Sequence, residues 1–170
     1  MKDGALLSLR PNTELVITDY NFNGREDGSE RSFMELVRGG FRTITGYIGH
    51  KNKHNYRVKT SVATIGIRGT HYGLMVCSDG SCSNESEPLE DGVYGGVVDG
   101  SISVSNNSGE YTFNNDQYFH VASASSVAIE QLLPDLISVN FNQASAASLS
   151  SAIKSFADSP AIASSSKDKP

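Results

Sequence analysis

The run from Val62 to Ile67, alternating strictly from Ala63 onward, constrains the fold of this chain more than any other stretch does. Ala63, Ile65 and Ile67 are apolar, and Thr64, Gly66 and Arg68 separate them. An extended backbone puts the three apolar side chains on one face, whereas a helix would scatter them around its axis. Gly66 and Gly69 interrupt the outward side, where a missing side chain admits a neighbouring backbone or a sharp bend. From Val62 to Tyr72 only His71 is a natural metal ligand or base. The stretch therefore reads as part of a structural or interaction module before it reads as part of an enzyme.

Further short alternating runs lie on both sides of it. They span Ala5 to Arg10, Glu14 to Tyr20, Ser32 to Val37, Phe41 to Thr45, Tyr56 to Thr60, Tyr72 to Cys77, Val93 to Asp99, Ser101 to Ser105, Tyr111 to Phe113 and Tyr118 to Ala122. Turn chemistry separates them at Pro11-Asn12, Asn23-Gly24, Gly39-Gly40, Lys51 to Asn55, Asp79-Gly80, Asp99-Gly100 and Asn106 to Gly109. The pattern predicts an all-β fold of many short strands in a sandwich, roll or solenoid-like stack. A shift in phase at Ser61-Val62 predicts a bulge there. After Ser123 the character changes: Ser126 to Leu133 suits a short helix ended by Pro134. From Asn142 to Pro170, 16 of 29 residues are Ala or Ser, and Leu149, Ile153 and Phe156 share one helical face. That face belongs either to a helix docked on the β domain or to a weak amphipathic segment, with a tail from Ser159 onward. The division expected is a β domain over 1–134 and an Ala/Ser-rich helix and tail over 135–170.

Four segments carry a resemblance. DGALLSLRPNTELVITDYNF, FMELVRGGFRTITG, NYRVKTSVATIGIRGTHY and DGVYGGVVDGSISVSNNSGEY, in that order, resemble the FecR domain, an extracytoplasmic β-rich module of bacterial signalling and cell-envelope proteins. The specific part is TIGIRGT: Thr64, Ile65, Gly66, Ile67, Arg68, Gly69 and Thr70. The resemblance runs from Asp3 to Pro134. Domains of this family carry strands ahead of the DGALLSLRPN segment, which implies an N-terminally truncated domain, with Met1 an internal methionine or the edge of a longer protein. Well-known members relay the state of an outer-membrane receptor to a sigma-factor regulator, often for iron uptake. Their cytoplasmic segment and membrane helix have no counterpart here. What the resemblance implies is a non-enzymatic periplasmic or secreted recognition module, without a cofactor, whose partner is a protein of the cell envelope.

The cysteines bear on the compartment. In VCSDGSC, Asp79-Gly80 is a type I′ hairpin signal that pairs Ser78 with Ser81 and sets Cys77 opposite Cys82, within disulfide range. Two free thiols, or half of a metal site, are the other readings. A disulfide favours an oxidising location, and FecR-like proteins of this subtype are similar in having a Cys pair soon after TIGIRGT. No run of 18 or more apolar residues is present to span a membrane as a helix, and the N-terminus lacks the pattern of a signal peptide.

The net charge of −5 is unevenly spread. From Leu36 to Val76 there are seven Arg or Lys and no acid; from Cys77 to Asp135 there are ten acids and no Arg or Lys. The two stretches are expected to face each other, within the fold or across a self-association interface, the other reading being a basic half that meets phosphates, an anionic membrane surface or an acidic partner. The acidic half repels phosphate and no nucleic-acid motif appears, so nucleic acid is not an expected partner.

Several residues invite chemistry and are read as structural. Asp19 to Glu30 fits D-x-N-x-N-G-x5-E through Asp19, Asn21, Asn23, Gly24 and Glu30, the spacing of a calcium loop. A strand-like ELVIT precedes it, Glu26 sits where such loops place an aliphatic anchor, and a solvated acidic turn is the expectation. His50 and His54 bracket HKNKH in a glycine- and lysine-rich loop that disfavours a cation. His71 is expected to be a satisfied structural histidine, and His120 an exposed one. Arg68 is expected to pair with an acid of the second half, the other reading being an anion or a partner carboxylate. No nucleophile elbow, phosphate loop or dinucleotide fingerprint is present. Two further roles fit: a self-associating surface protein, since missing early strands would leave an open sheet edge, and a carbohydrate or cell-wall module using Tyr47, Tyr56, Tyr72, Tyr94, Tyr111 and Tyr118.

Overall fold

One long strand organises the molecule. In the computed structural model, which describes residues 1–25, 27–82 and 89–130, β3 (Arg31–Ile44) runs for 14 residues and belongs to both wings of a curled sheet. Its first half pairs with β2 (Glu14–Asn21) on one side and, in parallel, with β4 (Tyr56–Lys59) on the other. Its second half pairs with β1 (Leu6–Leu9) and β6 (His71–Cys77), both antiparallel. The first wing continues through β5 (Thr64–Ile67), β8 (Ser101–Asn106) and β9 (Gly109–Asn114). The second continues through β7 (Gly92–Asp99), β10 (Tyr118–Val121) and β11 (Ile129–Glu130). The expected all-β architecture takes the form of this roll.

Gly39-Gly40 is a corner, where a break between two strands was expected. Gly39 has φ +75, and a Cβ on Gly40 would lie 2.7 Å from the Leu74 carbonyl oxygen. Glycine there lets β3 bend from one wing into the other without leaving the ladder. The parallel pairing of β3 with β4 requires a crossover. Residues 45–55 supply it through a short helix, α1 (Tyr47–Lys51), and a single 3₁₀ turn (Lys53–Asn55).

Both wings turn their apolar sides inward onto one core. Met34, Leu36, Tyr56, Val58, Ile65, Ile67, Ile102, Val104 and Phe113 come from the first wing, and Tyr72, Leu74, Val93, Val97, Phe119 and Val121 from the second. The Tyr56 and Tyr72 hydroxyls meet inside it at 2.9 Å. Burial pushes both phenols up, so they stay protonated and satisfy each other.

Two local expectations need correction. The phase shift at Ser61-Val62 is a tight turn and no bulge: Thr60 N–H donates to the Ala63 carbonyl at 2.9 Å, closing the β4–β5 hairpin, and β5 starts only at Thr64. The helix expected from Ser126 is absent over the described part, since Ile129 and Glu130 pair with His120 and Phe119. There Ala128 is buried between exposed Val127 and Ile129, a period of two that the sheet edge takes up. Residues 131–133 and the Ala/Ser-rich segment 135–170 lie outside the described residues.

Candidate functional site

The TIGIRGT strand sits where the chain passes between the wings. Ile65 (0 % exposed) and Ile67 point into the core, while Thr64 and Gly66 face outward with Arg68 beyond them. Gly69, at φ +64, is the corner between β5 and β6. It lies back to back with Gly100, the corner between β7 and β8, so close that a Cβ on Gly100 would lie 2.4 Å from the Gly69 carbonyl oxygen. Hydrogen bonds pin this corner from three sides. Gly69 N–H donates to Gly49 of α1 at 3.0 Å, Thr70 N–H to Thr45 Oγ1 at 2.9 Å, and the Thr70 hydroxyl to the Ser101 carbonyl at 2.8 Å. Gly49 belongs to the same junction, because a Cβ there would meet Ile67 Cδ1 at 2.6 Å. Ile65, Ile67, Gly69 and Thr70 of the motif thus have structural duties, whereas the side chain of Arg68 is exposed.

Arg68 pairs with no acid of the second half among the described residues. No ion pair involves it among the described residues, and its backbone N–H alone is engaged, with Ser101 O at 2.9 Å. Arg57 and Lys59, the outward residues of β4, likewise lack a carboxylate partner there. Arg57 instead lies over the Phe33 ring, 5.4 Å from its centroid. Arg31 and Arg38 pair with Asp19 and Glu14, so the ion pairs they make stay within the N-terminal strands and do not reach the acidic stretch.

The calcium-like loop is taken apart by its own neighbours. Asp19 binds Arg31, and the Asn23 side-chain oxygen accepts from Arg25 N–H at 2.7 Å. Glu30, expected in a solvated turn, is fully buried: its Oε2 accepts from Asn52 Nδ2 at 2.9 Å and its Oε1 has no hydrogen-bond partner. The side chains that a cation would need together therefore point apart. His50 packs on Gly69 from α1, and His54 stands exposed on the following turn. Among the described residues no group of three His, Cys, Asp or Glu is placed to hold a metal.

His120 is buried, contrary to expectation. It stacks on Tyr94 with ring centroids 4.2 Å apart and donates from Nε2 to the Asp91 carbonyl at 3.1 Å. The outward side of His120 is instead taken up by the Tyr94 ring and the Asp91–Gly92 backbone. Of the six tyrosines considered as a stacking surface, Tyr56, Tyr72 and Tyr94 are buried, and the half-buried Tyr47, Tyr111 and Tyr118 lie on three different elements.

Comparison with known proteins agrees with this arrangement. The family described as FecR protein matches residues 1–101, which include β1 through β7 and the whole TIGIRGT corner. The chain belongs to the FecR family. Two crystal structures, each of a proposed anti-sigma factor from Parabacteroides distasonis, share the fold with a TM-score of 0.57. Their sequence identities to this FecR chain are 12% and 13%, and the matches cover 85% and 91% of it. The chain spans 58% and 65% of the length of those two proteins. No curated protein matches it.

In this FecR domain Cys77 and Cys82 are joined as a disulfide, with Cα atoms 5.3 Å apart. The expected turn sits between them: Asp79 and Gly80 both have positive φ, and Ser81 N–H donates to the Ser78 carbonyl at 2.9 Å. So small a ring removes little chain entropy. Cys77→Ser/Cys82→Ser is expected to lower stability by about 2 kcal/mol, read as a lower urea midpoint with an unchanged slope.

His71 is buried at 7 % exposure and its Nε2 has no hydrogen-bond partner, so it is not the satisfied histidine expected. Burial pushes its pKa down, Arg42 adds to the effect, and Asp99 opposes it. The folded FecR domain therefore prefers neutral imidazole, whereas the unfolded chain takes up the proton below about pH 6.5. Stability from this group is complete above that value and declines as pH falls from about 6.5 toward the lower folded pKa. The urea midpoint of the wild type is expected to drop between pH 7.5 and 5.5, and His71→Phe is expected to flatten that drop. Equal slopes in the two proteins would remove the assignment.

Proposed function

We propose that this chain is a non-enzymatic, extracytoplasmic recognition module of a bacterial envelope signalling relay, acting through protein contacts made by its FecR domain. The observation that carries the reading is the family match over residues 1–101, which takes in the motif strand and the corner that holds it. The fold shared with proposed anti-sigma factors supports a role in controlling transcription from the envelope. The joined Cys77 and Cys82 support an oxidising compartment, periplasmic or secreted. Among the described residues no helix is long and apolar enough to cross a membrane.

Deleting the gene tests the reading. A defined set of envelope genes under one alternative sigma factor is expected to change expression, and iron-uptake genes are the first set to inspect. An unchanged transcript profile, in iron-rich and iron-starved cells alike, would overturn it.

One observation favours a second reading, self-association. Among the described residues β1 and β2 each pair only with β3, leaving outer edges beside exposed Leu6, Leu9, Val16 and Ile17. Such edges recruit further strands. A monomer at all concentrations and salt levels in sedimentation would exclude it.

A further inference from the structure

The outward face of the first wing carries a set of cations with no carboxylate partner among the described residues. On β4, Arg57 and Lys59 alternate with the buried Tyr56 and Val58, so both stand on the solvent side. The β4–β5 register sets Lys59 beside Thr64, and one residue further sets Arg57 beside Gly66. Gly66 in turn faces Ser103 on β8, and Thr64 faces Ser105. Arg68 follows two residues after Gly66, on the same side, with its N–H still bonded to Ser101. Arg57 and Lys59 are therefore separated by about 6.6 Å along one strand, and Arg57 and Arg68 by about 8 Å on the diagonal.

Around these three the floor is low. Gly66 has no side chain, and Thr64, Ser101, Ser103 and Ser105 present short hydroxyl side chains. Packing does not explain the glycine on its own, since the nearest neighbour of a Cβ there is the Ser103 hydroxyl, at 2.8 Å, with no backbone atom within 4 Å. The contrast with nearby arginines is informative: Arg31 and Arg38 on β3 are neutralised by Asp19 and Glu14, while Arg57, Lys59 and Arg68 have no carboxylate among the described residues.

We propose that this face binds an extended acidic segment of a partner protein, whose carboxylates on alternate residues meet Arg57, Lys59 and Arg68 above the Gly66 floor. The repeat supports a peptide. Side chains on one side of an extended strand recur at about 6.6 Å, the spacing of Arg57 and Lys59. Arg presents a planar fork that suits a carboxylate, and its stacking on Phe33 holds Arg57 in place. A long polyanion fits less well, because Glu35 and Glu110 flank the site in the Lys59 row and the chain as a whole carries −5.

The proposal rests on the recognition reading above, but its test uses purified protein and a synthetic peptide, so the two fail separately. Loss of peptide binding with the deletion phenotype intact would sink this proposal alone, and peptide binding without a phenotype would sink the reading alone. The probe is a fluorescein-labelled peptide alternating glutamate with threonine, followed by anisotropy. Binding is expected, weakening severalfold as salt rises through the range where exposed charges are screened. Arg57→Glu/Arg68→Glu is expected to weaken it at least about tenfold, whereas the charge-matched Lys2→Glu/Arg25→Glu keeps it. Amide shifts of the wild type on titration are expected at Thr64, Gly66 and Ser103, a readout that needs no variant. Absence of binding, equal loss in both variants, or shifts centred elsewhere would overturn the proposal. Binding of dextran sulfate at this face without binding of the peptide would also overturn it, in favour of a polysaccharide.

Discussion

Ile65→Ala is expected to destabilise the domain by about 3–4 kcal/mol, the upper part of the range for truncating a buried branched side chain. The side chain has no exposed surface and lies among core residues drawn from both wings, so its removal leaves a cavity that neither wing can close by itself. A small domain has only about 5–15 kcal/mol of stability to lose. Urea unfolding monitored by far-UV circular dichroism measures the loss. Val16→Ala, on an exposed edge position at 43 % exposure, supplies the comparison and is expected to change stability by less than about 1 kcal/mol. If the two substitutions shifted the midpoint equally, Ile65 would not be a core residue and the roll would be wrongly drawn.

The second large effect concerns Glu30. Its carboxylate is fully buried and takes one side-chain donor, the Asn52 amide. Asn52→Ala strands a buried anion and is expected to cost about 2–3 kcal/mol. Combining it with Glu30→Gln is expected to recover part of that loss, because a neutral amide is far less costly to bury than an anion. Additive losses in the double variant would mean that the two side chains act independently. A double-mutant cycle in urea distinguishes the outcomes. The contact closes the crossover onto the start of β3, where Asn55 also donates to the Gly28 and Glu30 carbonyls at 3.0 and 3.1 Å.

The parts of this fold that were legible in advance are those encoded within a few residues. Ala63, Ile65 and Ile67 declared their inward face through their spacing alone, and Asp79-Gly80 declared its turn through the positive φ that both positions adopt. What stayed hidden depends on residues distant in the chain. Gly39-Gly40 looks like a loop locally, and only the packing of β6 against β3 shows that the strand bends there and continues. His120 alternates outward on its own strand, yet Tyr94 and the Asp91–Gly92 backbone, up to 29 residues earlier, pack against its ring. The helix at Tyr47 was obscured by Gly46 and Gly49, and Gly49 is required by a contact with Ile67 made across the fold. At the candidate site, the outward position of Arg68 followed from alternation. That no described acid pairs with it depends on where distant strands come to rest.

The passage of β3 through both wings has a mechanical consequence. Neither wing owns a complete set of neighbours without it, so peeling one away strips the template from the other, and the module yields as a unit or not at all. Both wings therefore depend for their register on the same 14 residues of β3.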